Sequence, residues 1–195
     1  MYEVELKYYL SDRAALEERL VRLAARFHES IDQVDRYFSH PCRDFALTDE
    51  ALRLRKVAEH VELTWKGPRI DTATKTRREI ELELGPFTTS PGVLGSAVAT
   101  VDRWTEMLEA IGFRRLMEVA KRRRPVRVVW HGTEVDVAID AVVGLGDFIE
   151  LEIRVQQGEV PLARACLESL AQELGCTAPE RRSYLELIRL ENAPR

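Results

Sequence analysis

Tyr2-Glu3-Val4-Glu5-Leu6-Lys7-Tyr8-Tyr9 alternates without a break. Val4, Leu6 and Tyr8 point one way, and Glu3, Glu5 and Lys7 point the other, which is the period of a β-strand. One face is wholly apolar and the other wholly ionic. Segments downstream repeat this design. In 51–57 Arg53 and Arg55 oppose Leu52 and Leu54. In 60–66 Glu62, Thr64 and Lys66 oppose Val61, Leu63 and Trp65. In 75–84 Lys75, Arg77, Glu79, Glu81 and Glu83 oppose Ile80, Leu82 and Leu84. Lys121 and Arg123 share a face in 117–124. Glu134, Asp136 and Asp140 oppose Val135, Val137 and Ile139 in 134–140. Glu150, Glu152 and Arg154 oppose Ile149, Leu151 and Ile153 in 148–155.

The plain reading of each strand alone is a half-exposed antiparallel sheet with its charges in water. Taken together the strands argue otherwise, because a solvated face is usually varied, whereas this one is almost entirely Arg, Lys and Glu. If the sheet closes into a barrel, the ionic face turns inward and the apolar face meets helices. Charges in a dry core are too costly, so the interior has to be a wet, ligand-binding space.

The remaining chain fits around such a sheet. Residues 12–27 carry Leu16, Leu20, Leu23 and Phe27 at helical spacing behind a Ser11 or Asp12 cap. Residues 100–112 and 161–174 are amphipathic, stopped by Gly112 and Gly175, and a last helix runs from about 182 to 191. Residues 33–39 and 126–131 read as further strands. Lys66-Gly67-Pro68 reads as a break and 85–97 as a loop. Eight or nine strands and four helices predict one α+β domain over 1–195, with a large antiparallel sheet and helices outside it. The sequence does not decide the oligomeric state; for a homodimer, either the helix at 12–27 or that at 161–174 could serve as the interface.

Composition bounds the function. Among 195 residues, 45% are apolar and 32% charged, which excludes global disorder. No run approaches the ~18 apolar residues of a membrane span, and no secretory signal is expected ahead of the first strand. Lys and Arg number 29 against 33 Asp and Glu, a formal charge of −4, so a basic coat for nucleic acid is not expected. Cys42, Cys166 and Cys176 have no paired spacing. They fit a reducing cytoplasm and neither a disulfide framework nor a zinc site.

The ionic residues sort by chemistry. Glu3 with Glu5, and Glu150 with Glu152, form two ExE pairs whose carboxylates share a face. Oxygen ligands without Cys or His suit Mg²⁺ or Mn²⁺. Lys7, Arg53, Arg55, Lys66, Arg77, Lys121 and Arg123 supply cations, with guanidinium forks suited to phosphate oxygens. Cations beside metal-binding carboxylates describe a polyphosphate site. Neither phosphate-cradling loop, GxxxxGK[ST] or GxGxxG, is present, so side chains have to hold the phosphates.

Glu3-x-Glu5-x-Lys7 resembles the ExExK signature of the CYTH family, the triphosphate tunnel metalloenzymes. The resemblance continues in order through Asp35-Arg36-Tyr37-Phe38, Leu52-Arg53-Leu54-Arg55, Trp65-Lys66-Gly67-Pro68 and Arg77-x-Glu79-x-Glu81. It then runs through Lys121-x-Arg123, Asp140, Gly144 to Glu150 and Arg182-Ser183-Tyr184. It implies a closed eight-stranded antiparallel β-barrel, a tunnel that binds a triphosphate and divalent cations. It implies Glu3, Glu5 and Glu150 as metal ligands, with Glu152 and Asp140 as additions. It implies Lys7, Arg53, Arg55, Lys66, Lys121 and Arg123 as triphosphate ligands. Arg77, Glu79 and Glu81 match a family position whose carboxylates hold the basic residues or assist the metal. Within the family the chain looks most like the class IV adenylyl cyclases, which convert ATP to cyclic AMP and pyrophosphate. The alternative is a triphosphatase acting on tripolyphosphate, thiamine triphosphate or a nucleoside triphosphate. A non-enzymatic polyphosphate-binding module is the remaining reading. Catalytic roles fall to Glu3, Glu5, Lys7 and Glu150.

Overall fold

The computed structural model describes residues 2–70, 76–85, 88–90 and 93–192. Its strands are β1 (Tyr2–Tyr9), β2 (Arg26–Phe27), β3 (Ile31–Ser39), β4 (Ala51–Val57), β5 (His60–Arg69), β6 (Arg77–Leu84), β7 (Thr88–Ser90), β8 (Val93–Leu94), β9 (Arg114–Trp130), β10 (Thr133–Val142) and β11 (Gly146–Val155). Its helices are α1 (Arg13–Arg22), α2 (Phe45–Thr48), α3 (Ala97–Ala110), α4 (Val160–Glu173) and α5 (Tyr184–Glu191). The strands pair in the order β10-β11-β1-β6-β5-β4-β3-β9-β2, and β10 also pairs with β9. The pairing order therefore returns on itself through eight antiparallel strands, with β2 as an addition, in an α+β fold.

The chain divides into two compact units. One comprises Met1–Ser30, Arg69–Arg78 and Lys121–Arg195; the other comprises Ile31–Pro68 and Glu79–Ala120. In the first unit β1 pairs with β11 from Tyr2↔Val155 to Tyr9↔Phe148, and β10 pairs with β11 and β9. The apolar faces of these strands meet α1 and α4. Val4, Leu6 and Tyr8 join Val135, Val137, Ile139, Ile149, Leu151 and Ile153 in one core with Leu16 and Leu20 of α1 and Leu167 and Leu170 of α4. The spacing of four in α1 and of three in α4 puts each helical pair on one face. Each such side chain contributes roughly 1.5–3 kcal/mol on burial. Asp12 caps α1, accepting from the Ala15 amide at 3.0 Å.

The second unit has its own core. Phe38, Leu52, Leu54 and Val61 pack with Ala97, Val101 and Leu108 of α3. Ser96 caps α3. Beside this core, Arg36 of β3 reaches Glu118 at 2.7 Å, Thr105 at 2.9 Å and Asp102 at 3.2 Å.

Several boundaries differ from the sequence reading. The helix expected over 12–27 stops at Arg22, because Ala24 adopts a left-handed φ of 55°. Arg26 and Phe27 then pair with Arg127 and Val126. Lys66-Gly67-Pro68 does not break the strand, since β5 continues to Arg69. Proline suits an extended chain, and so does the residue before it. The strands read separately at 117–124 and 126–131 are one strand of 17 residues. Pro125 lies within it, and its carbonyl accepts from the His28 amide at 2.9 Å. Within 85–97, β7 and β8 pair through Thr88↔Leu94. Lys75 lies outside the described residues, as do 86–87 and 91–92 of the 85–97 segment. Ile80 and Leu82, expected on a buried face, are exposed. No described helix is long and apolar enough to cross a membrane, and Cys42, Cys166 and Cys176 are free thiols.

Gly175 ends α4 at a φ of +73°, and a Cβ there would lie 1.7 Å from Arg19 Nη1. That nitrogen donates to the Leu174 carbonyl at 2.6 Å. Gly175→Ala is expected to cost about 1–2 kcal/mol from the left-handed backbone, with the displaced Arg19 bond adding to it. Urea denaturation of the two proteins measures the difference.

Candidate functional site

Several side chains of the ionic faces are buried, whereas Glu81, Glu134, Asp136 and Arg154 are exposed. Lys7 is 1% exposed, Asp35 2%, Lys121 5%, Arg53 6% and Asp140 0%. A sheet with one wet side does not give such values, so the plain reading of the alternation fails. Buried cations persist only with partners, and the partners are carboxylates on neighbouring strands.

In the first unit the centre is Asp140 of β10. Its register partner on β9 is Arg123, with Lys121 on the same face. Lys121 Nζ donates to Asp140 Oδ2 at 2.8 Å, and Arg123 donates through Nε and Nη2 at 2.7 and 2.6 Å. The Tyr184 hydroxyl donates to Asp140 Oδ2 at 3.0 Å, and Arg123 also pairs with Glu150. Burial pushes Asp140 up, but the Arg123 and Lys121 charges outweigh it and hold this carboxyl below its usual range.

Lys7 lies opposite Glu150 in the β1–β11 register. Its ammonium donates to the Arg182 carbonyl and sits 4.0 Å from the centre of the Tyr184 ring. Glu3 is opposite Arg154 on β11 and opposite Arg77 on β6. Arg77 is buried.

Glu5 faces Glu152 directly, and Glu152 in turn faces Asp136 of β10. Like charges opposite one another oppose sheet formation. Burial, then the charge of Glu3, pushes the Glu152 carboxyl up to about 8, although Arg154 at 2.9 Å pulls it down. The folded chain thus holds a proton on Glu152 that the unfolded chain, near 4.5, has lost. Without metal, stability is therefore expected to fall as pH rises from about 4.5 to about 8. Urea midpoints measured in chelator at both ends of that window test it.

In the second unit the centre is Asp35 of β3. Arg55, its register partner, donates Nε and Nη2 to the two Asp35 oxygens at 2.6 and 2.7 Å. Arg53 lies 3.5 Å from Asp35 and 3.8 Å from Glu62, and donates to Thr64 Oγ1 at 3.3 Å. Burial alone would lower the Arg53 pKa; Asp35 keeps it raised. Lys66 Nζ donates to Glu79 Oε1 at 2.6 Å. Glu81 is exposed.

Lys121, Arg123 and Glu150 thus converge on one network, with Lys7 beside it. Glu3, Glu5 and Glu152 lie on adjoining strands of the same unit. Arg53, Arg55 and Lys66 belong to the second unit. Sequence reasoning gave Asp35 no role, although a lone Asp in a strand next to an Arg-rich strand is a detectable sign. Nothing local in the sequence marks Tyr184, on a terminal helix, as a partner of Lys7. Arg124 pairs with Glu17 at 3.1 Å and stacks on Phe27.

Oxygen donors in like-charged opposition fit a hard divalent cation, which would remove their repulsion. Glu5 and Glu152 oppose one another directly, and the charge of Glu3 also acts on Glu152.

Comparison with known proteins supports the family. A protein of Methanocaldococcus jannaschii that carries a provisional adenylate cyclase name is 30% identical over 190 residues, covering 96% of this chain and 98% of that one. A solved structure of a Pyrococcus horikoshii protein is 39% identical with a TM-score of 0.81, covering 97% and 99% of the two chains. The structure of a provisionally named adenylyl cyclase from Hippeastrum, described as revealing a dominant triphosphatase activity, is 19% identical with a TM-score of 0.61, covering 97% and 96%. The family model described as the CYTH domain matches residues 1–184, which takes in every cluster above, and the chain therefore belongs to the CYTH domain family.

Proposed function

We propose that this chain is a divalent-metal-dependent enzyme acting on a triphosphate, and that its reaction converts ATP to cyclic AMP and pyrophosphate. The observation that carries this reading is the burial of Lys7, Lys121 and Arg53 and the partial burial of Arg123 and Arg55 on strand faces, with Asp140 and Asp35 orienting four of them. Prearranged cations stabilise charge without reorganising during the reaction. Their carboxylate supports keep each fork fixed for phosphate oxygens. A single family match across both compact units supports treating them as one domain.

Glu3, Glu5, Glu150 and Glu152 would hold Mg²⁺ or Mn²⁺. Such an ion, when bound, neutralises phosphate charge and favours deprotonation of the attacking hydroxyl. The chain's own part is to bind and orient: Lys7, Lys121 and Arg123, with Arg53, Arg55, Lys66 and Arg77, are assigned to the triphosphate. Positioning the ribose 3′ oxygen against the α-phosphorus then supplies much of the rate.

The second reading is hydrolysis of a triphosphate by water. The activity stated for the Hippeastrum neighbour favours it, and a fold shared at that distance does not choose between the two. Incubation of the pure protein with ATP and Mg²⁺ or Mn²⁺, followed by chromatography, separates them. Cyclic AMP and pyrophosphate are expected. ADP and orthophosphate would establish the triphosphatase instead. Inertness toward ATP, tripolyphosphate and thiamine triphosphate would refute both.

A further inference from the structure

Tyr184 is the first residue of α5, and its position is fixed from several sides. Ser183 and Glu186 form a reciprocal cap at the helix start. The segment before it lies along β1: the Glu180 amide donates to the Lys7 carbonyl at 2.6 Å, and Tyr8 bridges to Pro179. The ring is buried, with its hydroxyl on Asp140 and the Phe148 ring in edge contact at 5.0 Å. Two ammonium groups meet this one ring, Lys7 Nζ at 4.0 Å and Lys121 Nζ at 4.9 Å from its centre. Two buried cations so close together repel one another, and an aromatic face is a neutral group that attracts each of them. Asp140 compensates Lys121 directly, and Lys7 donates to the Arg182 carbonyl.

We propose that Tyr184 is a positioning residue, whose ring braces the Lys7 and Lys121 ammonium groups in the places from which they bind the triphosphate. This inference rests on the assignment of those two lysines to the triphosphate. The ring performs the bracing, and the hydroxyl serves to orient the ring on Asp140. Tyr184→Phe therefore retains the function and Tyr184→Leu loses it.

The test combines calorimetry of tripolyphosphate binding in Mg²⁺ with NMR of the lysine side chains. Wild type is expected to show two lysines with ring-shifted ε-methylene signals, assigned by Lys7→Arg and Lys121→Arg. Tyr184→Phe is expected to keep both signals and to bind within about 3-fold of wild type. Tyr184→Leu is expected to lose both shifts and to weaken binding by about 10-fold or more. A folded Tyr184→Leu that binds like wild type overturns the inference alone. So does a Tyr184→Phe variant whose binding falls about 10-fold, or a wild type without ring-shifted lysines, and these two results decide the matter even if Tyr184→Leu does not fold. A wild type that binds neither tripolyphosphate nor ATP overturns the functional reading, and the inference with it.

Discussion

Asp140→Ala is expected to destabilise the protein by about 3–5 kcal/mol, the range for removing one partner of a buried ionic network. Asp140 is fully buried and receives Lys121, Arg123 and the Tyr184 hydroxyl. Its loss leaves two cations in low dielectric with Glu150 as the nearby counter-charge on Arg123. Asp140→Asn preserves the shape but not the charge, so it should fall between wild type and alanine. The same network makes a statement about acid. The Asp140 carboxyl is held below its ordinary value in the folded chain, so its contribution is present above the unfolded value and disappears as pH falls through the folded one. Chemical denaturation at neutral pH measures the mutational effect, and the acid limb of a pH series measures the linkage. A loss under about 1 kcal/mol for alanine would mean that the cations do not depend on Asp140.

Glu5→Gln is expected to act in opposite directions on activity and on stability. Turnover with Mg²⁺ or Mn²⁺ should fall by about 10²–10³-fold, the scale for removing one preorganised electrostatic group. The metal-free protein at pH near 8 should become more stable by about 0.2–1 kcal/mol, because the like-charge pair Glu5↔Glu152 is gone. A residue kept for packing alone would leave turnover unchanged. Steady-state assays and metal-free denaturation of the same preparation report both signs, and unchanged turnover would sink the assignment of Glu5 as a ligand.

The alternation in β1, β4, β10 and β11 was legible because a strand's period is short and one chemistry dominated each face. It predicted which side chains share a face, and hence the two ExE pairs and the Lys121/Arg123 pair. The support of those cations was less legible. Asp35 meets Arg55 only through the register of β3 with β4, and Tyr184 meets Lys7 across 177 residues of chain. Such contacts depend on strand order, which local pattern does not encode. The left-handed turn at Ala24 was hidden for another reason: no glycine or asparagine marks it. The exposed Ile80 and Leu82 obey the strand period, but period alone does not say whether anything covers a face.

The order of strands along the chain has a consequence for synthesis. β1 has β11 as its long partner, Tyr2 with Val155 and Leu6 with Leu151, so the earliest strand waits for one of the latest. At roughly 5–20 residues per second, about 150 residues take about 7 to 30 seconds to follow it from the ribosome. During that time Val4, Leu6 and Tyr8 lack the β10, β11 and α4 side chains of their core and have only those of α1 beside them in sequence. Non-local closure of this kind is slow, and the nascent chain is at its most adhesive before β11 emerges. Arrested chains ending before residue 146 should therefore bind hydrophobic-segment chaperones, and chains extended beyond α4 should release them.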